Sequence, residues 1–295
     1  MKQIVVLGGG ISGYGSAILA KKKGFDVFLS DMGKIADRYK AKLDEWQVPY
    51  EEGGHTEERI LAAHEVIKSP GIPETAPMVR KIRAAGIPVI SEMEFAGRYL
   101  GRSKCICITG SNGKTVVKEW IAQTAPDGVK LFRSPRSYNS QLGAALSLLM
   151  IEGDEQLALI EAGISKPGEM ARLERIIRPD VVVFTSIGDA HQENFLNLEQ
   201  KCDEKMVLAR NASKIIYHSY YEPLGGMVAA RFADRKPLDA ASFPEVPESV
   251  IGNAASRRNA QIVEAFCAAM HYPAPSFASA PTVPMRLEVK EGIND

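Results

Sequence analysis

Neither sign of charge is in excess in this sequence, where Lys+Arg and Asp+Glu stand at 36 each. A nucleic-acid or polyanion binder normally carries a basic stripe, so that class is disfavoured and no nucleic-acid partner is expected. Anionic ligands must then be held by local devices such as glycine loops and helix N-termini. Cysteine is scarce. The four present, Cys105, Cys107, Cys202 and Cys267, form no C-x-x-C pair and no metal-ligand spacing. That argues against a disulfide framework and for a reducing, cytoplasmic compartment. Cys105 and Cys107 fall on one face of an expected strand and read as small core residues. Long apolar runs are missing as well. None reaches the roughly 18 residues of a membrane span, and MKQIVVLGGG meets glycine too soon for a signal peptide. The expectation is a cytosolic chain with no membrane partner. There is no internal repeat and no low-complexity tract.

What is present is an ordinary globular composition, 45% hydrophobic and 24% charged over 295 residues, enough for two domains. The first hundred residues alternate between strand and helix patterns. Strands are expected at Gln3–Leu7, Asp26–Leu29, Val66–Lys68 and Pro88–Ile90, with helices at Gly13–Lys22 and Ala36–Glu45. Such alternation predicts a doubly wound α/β domain. Residues 100–104, LGRSK, read as a linker. A second α/β unit then opens with the strand CICI, and Leu157–Ile160 and Val181–Thr185 are apolar runs typical of buried parallel strands. Residues 221–250 give no clear assignment. A helix follows at Ala255–Met270, and the chain stops in the strand-like MRLEVKEGIND, which suggests that a further segment belongs after it.

Two glycine motifs carry the chemistry. Gly8-Gly9-Gly10-Ile11-Ser12-Gly13 satisfies G-x-G-x-x-G between a strand and a helix, and Asp31 ends the next strand. Alone, this reads as NAD or FAD binding, as a nucleotide diphosphate site, or as a tight turn without ligand. The second motif is Thr109-Gly110-Ser111-Asn112-Gly113-Lys114-Thr115. Its Gly113-Lys114-Thr115 fits the end of a phosphate loop, but Gly110 stands two residues too close for G-x-x-x-x-G-K-[ST]. If the loop binds ATP, its N–H groups wrap the phosphates, Lys114 reaches the β- and γ-phosphates and Thr115 meets Mg²⁺. Further oxygen donors should then stand at strand ends. Glu161 in LIEAG, and Asp189 and His191 in FTSIGDAHQENF, occupy such places. An NAD-dependent oxidoreductase would leave this second cluster unexplained. No convincing covalent nucleophile is present.

TGSNGKT, SYNSQLG at 137–143, LIEAG and SIGDAHQENF together resemble the central ATPase domain of the Mur ligases, which form amide bonds in peptidoglycan synthesis. The resemblance implies a Rossmann-like UDP-substrate domain at 1–101 and a P-loop-type α/β ATP-binding domain at 102–280. Residues 281–295 would begin a third domain. It also implies ATP and Mg²⁺ as cofactors, with Gly110 to Thr115 as the phosphate loop and Thr115, Glu161, His191 and Lys205 around the metal. Lys205 would be carbamylated, with Lys201 a less fitting alternative by spacing. Asn259 would lie beside adenine, although Gly252-Asn253 departs from the family's G-x-H-N. Arg286 would meet the γ-phosphate, Asp295 the ribose, and Asn139 and Ser140 the substrate. The catalytic set is thus Lys114, Glu161, His191, Lys205 and Arg286.

Residues 1–115 resemble the D-glutamate-adding branch of that family, through the glycine turn, Ser30-Asp31, the GGH-T segment, KSPGIP and VISEMEF. Ile11, Ser12, Gly13, Asp31, Ser69, Pro70 and Gly71 would then hold the UDP part of UDP-N-acetylmuramoyl-L-alanine. Residues 109–295 are more similar to the D-alanyl-D-alanine-adding branch, through SPRSYNSQLG, EAGISKPGEM and IGDAHQENF. The expected partners are a UDP-N-acetylmuramoyl (peptide) substrate and an amino acid or dipeptide, acting on a monomer. The leading expectation is ATP-dependent addition of D-glutamate through an acyl phosphate. The alternatives are D-Ala-D-Ala addition to the tripeptide, or nucleotide binding without turnover.

Overall fold

The computed structural model describes residues 2–99, 103–136, 138–151 and 154–277. Arg286, Asp295 and the segment 281–295 lie outside the described residues, as do Ser137 of the SYNSQLG motif and residues 100–102 of the expected linker. The chain divides into two compact units. The first is residues 1–101, with 148–151 grouped to it, and the second is the remainder from Arg102.

In the first unit, strands and helices alternate: β1 Gln3–Leu7, α1 Ile11–Lys22, β2 Asp26–Asp31, α2 Asp37–Glu45, β3 Tyr50–Glu52, α3 Glu57–Leu61, β4 Glu65–Lys68, α4 Pro77–Ala84, β5 Val89–Ser91 and α5 Glu92–Gly97. The five strands form one parallel sheet in the order β3-β2-β1-β4-β5. The order reverses direction between β1 and β4, and such a switch point opens a crevice at the carboxyl ends of the strands. The central strand β1 is buried from Ile4 onwards, as a strand covered on both faces must be. Val5, Leu7, Phe28, Ile60, Val66, Val79 and Ile82 make up one core cluster. Gly8 and Gly13 permit the first turn. A Cβ on Gly13 would stand 1.8 Å from the Gly8 carbonyl oxygen, and Gly8 itself has φ +101°.

The second unit contains β6 Lys104–Thr109, α6 Lys114–Thr124, β7 Leu131–Arg133, α7 Gln141–Leu149, β8 Leu157–Ala162, α8 Glu169–Ile177, β9 Val181–Phe184, α9 Leu198–Met206, β10 Lys214–Tyr217, α10 Leu224–Arg231, β11 Leu238–Asp239 and α11 Ala254–Met270. Its parallel sheet has the order β11-β10-β9-β6-β8-β7. β6, β8 and β9 are apolar almost throughout and sit at the centre, with α6 and α11 packed over Ile106, Ile108, Leu159 and Val183. Element bounds differ from the sequence expectations by one or two residues in several places. α1 begins at Ile11 rather than Gly13, and β2 runs through to Asp31. β8 continues through Glu161 to Ala162, so that acid lies inside the strand. The unassigned stretch 221–250 holds α10, two short 3-10 turns and β11. No helix among the described residues is long and apolar enough to cross a membrane.

Candidate functional site

The loop from Gly110 to Gly113 leaves β6, the centre of the second sheet, and hands the chain to α6. Two glycines make its short course possible. Gly110 has φ +158°, and a Cβ there would stand 2.0 Å from Thr185 Oγ1. Gly113 has φ +83°, and its Cβ would stand 2.7 Å from Asn259 Oδ1. The loop is laced to the segment after β9. Ser111 N–H donates to the Ser186 carbonyl at 2.6 Å, Thr185 Oγ1 donates to the Asn112 carbonyl at 2.6 Å, and Gly188 N–H donates to Ser111 Oγ at 3.0 Å. Thr185 and Ser186, which lie within the FTSIGDAHQENF motif but were assigned no role there, thus shape the loop. The first-turn N–H groups of α6 lie beyond this lacing and, like those of any helix start, have no partner within the helix.

Three lysines bond nearby backbone carbonyls, two of them on the glycine loop and one on the segment that leads to His191. Lys114 Nζ donates to the carbonyls of Gly110 at 2.9 Å and Ser111 at 3.1 Å. Lys205 Nζ donates to the Gly110 carbonyl at 3.3 Å. Lys201 Nζ donates to the carbonyls of Gly188 at 2.5 Å and Ala190 at 2.6 Å. Lys205 is 2% exposed. Burial, aided by the nearby Lys114 and Lys201 ammonium groups, pushes its pKa down from 10.5 to about 7. A lysine near pH 7 that is partly neutral is a nucleophilic amine, as addition to CO2 requires. Lys201 is also held below its usual value by burial, but two short carbonyl bonds tie it to the His191 loop, a bracing role.

A cavity of about 230 Å³ lies at this carboxyl end of the sheet, lined by Gly110 to Thr115, Asn139, Ile164, Ala190, His191 and Lys205. His191 sits at its rim with φ +61°, more than half exposed. Asn139 is fixed through its carbonyl, which accepts from Gly163 N–H at 2.5 Å. Ser140 is exposed, and its Oγ accepts from Gly143 N–H at 3.1 Å at the start of α7. Asn259 is buried against Gly113.

Glu161 is outside that lining. Its carboxylate is fully buried, with Oε1 3.0 Å from Lys118 Nζ in an ionic contact that lacks hydrogen-bond alignment. Both of its oxygens lack a hydrogen-bond partner. An orphaned buried carboxylate is the kind of oxygen donor that a hard divalent cation such as Mg²⁺ takes, although among the described residues no three His, Cys, Asp or Glu side chains are grouped to hold a metal ion. Lys118 was not anticipated. The available signal was a lysine four residues after Lys114, on the same helix stripe as the apolar Val117 and Ile121.

In the first unit, the expected substrate residues gather at the carboxyl edge of β1, β2 and β4. Ser12 is buried at the first turn of α1, and Ile11 is exposed. Ser69 N–H donates to the Leu7 carbonyl at 2.9 Å, ahead of the turn at Pro70 and Gly71. The Asp31 carboxylate is engaged by backbone, accepting from Gly9 N–H at 2.5 Å and Gly33 N–H at 2.7 Å. It closes the glycine turn. His55 of the GGH-T segment stands with Nδ1 2.6 Å from Ser30 Oγ, which also donates to Glu51 Oε1 at 2.6 Å.

The sequence matches two family models, the Mur ligase MurD-like N-terminal domain over residues 2–91 and the Mur ligase middle domain over residues 108–226. Among similar curated proteins is a UDP-N-acetylmuramoylalanine--D-glutamate ligase of Bacteroides fragilis. It is 44% identical over 198 residues, which is 66% of this chain and 42% of that protein. The protein of the same name from Christiangramia forsetii is 34% identical over 263 residues, 89% of this chain and 57% of its own length. The chain thus spans about half the length of these relatives. Matches of that length cannot fit within the first unit, so likeness to the D-glutamate-adding branch continues into the second. In fold, the chain is similar to MurF ligase of Thermotoga maritima in complex with ADP, with TM-score 0.62, 18% identity, and coverage of 93% of this chain and 69% of that one. With a MurD-like N-terminal domain on its first sheet and a Mur ligase middle domain on its second, the chain belongs to the Mur ligase family.

Proposed function

We propose that the chain is the substrate-binding and nucleotide-binding part of an ATP-dependent ligase that joins D-glutamate to UDP-N-acetylmuramoyl-L-alanine. The observation that carries this is the cavity over β6, where a glycine loop, a helix start and the lysines Lys114 and Lys205 meet, with Lys201 close behind them. That concentration of positive charge in a neutral protein suits a polyphosphate. Lys114 moves from the loop carbonyls to the β- and γ-phosphates, and the α6 N–H groups take phosphate oxygens. Mg²⁺, when bound, neutralises phosphate charge during transfer. Thr115, Glu161 and His191 are proposed to hold it. Lys205 joins them as a carbamate, formed when its neutral amine adds to CO2 and releases a proton. The Ile11-Ser12-Gly13 turn, Asp31 and Ser69-Pro70-Gly71 take the UDP moiety, and Asn139 and Ser140 face the muropeptide. Asn259 stays beside the base, with Arg286 and Asp295 completing the nucleotide site.

The chemistry is two displacements. The muropeptide carboxylate attacks the γ-phosphorus and ADP leaves, which gives an acyl phosphate. The D-glutamate amine then attacks the acyl carbon, inorganic phosphate departs and the ammonium proton is lost. The chain's residues need only position reactants and offset charge, consistent with the lack of a candidate nucleophile. Likeness to D-glutamate ligases across both units favours this acceptor over D-Ala-D-Ala.

Calorimetric titration with UDP-N-acetylmuramoyl-L-alanine and with the corresponding tripeptide, each with and without Mg·ATP, tests the reading. Preference for the alanine form is expected. Preference for the tripeptide would transfer the chain to the D-Ala-D-Ala-adding branch, and ATP binding without either muropeptide would leave only a nucleotide-binding role.

A further inference from the structure

Lys118 is a fully buried cation in the core of the second unit, and the reaction outlined above does not use it. Its ammonium donates to the Ser134 carbonyl at 2.7 Å and to the Arg136 carbonyl, and it stands 3.0 Å from Glu161 Oε1. A second carboxylate, Glu119 Oε1, lies 3.4 Å away and is itself engaged by Arg133. Stability alone is a poor reason for this arrangement. Buried ion pairs often give no net stabilisation compared with apolar residues of similar volume. Glu161 also remains under-satisfied. Neither of its buried oxygens has a hydrogen-bond partner, and the ionic contact with Lys118 involves Oε1. Oε2 is therefore a buried carboxylate oxygen without a hydrogen-bond partner among the described residues, a cost that the ion pair at Oε1 offsets only in part.

We propose that Lys118 is the positioning residue for the metal-binding acid: it pins Glu161 through Oε1 and leaves Oε2 to take the divalent cation. The same ammonium ties α6, which carries the phosphate loop, to the Ser134–Arg136 backbone that leads into Asn139. Loop, acid and substrate segment are thus referred to one fixed charge. Ser134 reinforces the link, since its Oγ accepts from Glu161 N–H at 3.3 Å. Lys118 acts through Glu161 and touches no reactant. The inference rests on the nucleotide reading of the cavity.

The test is a double-mutant cycle read by calorimetric binding of ADP, with Mg²⁺ and with EDTA, to the chain and to its K118M, E161Q and K118M/E161Q variants. Groups that orient a metal ligand typically contribute about 10- to 100-fold in metal affinity. K118M is therefore expected to weaken Mg·ADP binding by about tenfold or more while leaving metal-free ADP binding within about twofold. In the E161Q background, the same substitution should change Mg·ADP binding by less than about twofold. Equal losses in both backgrounds, or an equal loss in EDTA, would mean that Lys118 only braces the Ser134–Arg136 backbone, and would overturn the proposal. If K118M does not fold, K118R and K118R/E161Q complete the cycle with the charge retained, and the loss must again require Glu161. Absence of ADP binding by the unaltered chain would overturn the nucleotide reading and this inference together; binding without the coupling would overturn this inference alone.

Discussion

Replacing Lys205 by Met should make the protein more stable, and by an amount that falls as pH rises. Lys205 is 2% exposed, and its pKa is lowered from 10.5 to about 7, first by burial and then by Lys114 and Lys201. The unfolded chain keeps this proton up to about pH 10.5, whereas the folded chain releases it around pH 7. Between those values the unfolded state binds more protons, so stability rises with pH. The cost of the buried ammonium is full below pH 7 and fades towards pH 10.5. A displacement of about 3.5 units corresponds to roughly 5 kcal/mol at full cost, falling to about 2 kcal/mol at pH 9. Met also forfeits the 3.3 Å bond to the Gly110 carbonyl, about 1 kcal/mol. K205M should therefore gain on the order of 3–4 kcal/mol at pH 6.5 and about 1 kcal/mol at pH 9. Urea unfolding of both proteins at the two pH values, in CO2-free buffer so that Lys205 stays an amine, measures the difference. An equal gain at both pH values, or a variant less stable at pH 6.5, would refute the reasoning.

Gly113→Ala combines φ +83° with a Cβ 2.7 Å from Asn259 Oδ1; it should cost on the order of 1–3 kcal/mol in stability and abolish measurable Mg·ADP binding by calorimetry. The double variant G113A/N259A removes the clash but not the backbone strain, so unfolding midpoints should show partial recovery. Lys201→Met unties the carbonyls of Gly188 and Ala190, so the His191 loop should gain amide hydrogen exchange while β6 and β9 keep their protection. Gly13→Ala would press a Cβ to 1.8 Å from the Gly8 carbonyl and should eliminate binding of UDP-N-acetylmuramoyl-L-alanine with Mg·ADP binding intact.

The central strands were readable because parallel strands covered on both faces must be apolar, and β1, β6, β8 and β9 are. Strand β11, two half-buried residues, and β7, three residues with one exposed, carry too little pattern to announce themselves. The sequence Leu224-Gly225-Gly226 argues against a helix, yet α10 starts there. Gly225 is needed because a Cβ would come within 2.8 Å of the Ser219 backbone. Of the candidate site, the glycine loop, Lys114, Lys205, His191 and Asn139 line one cavity. Asp31 was legible as an acid at a strand end beside the glycine turn, but sequence could not reveal that two backbone N–H groups engage it. The position of Glu161 was legible and its environment was not, because its partner Lys118 comes from another segment 43 residues earlier in the chain.

The most direct test of the account is calorimetric binding of Mg·ATP to the chain and to its Lys114→Ala variant. Binding by the unaltered protein, weakened at least about tenfold by loss of this charged phosphate contact, is the predicted result. Equal binding by both proteins, or none by the unaltered one, would contradict the claim that the loop from Gly110 to Thr115 is a nucleotide site.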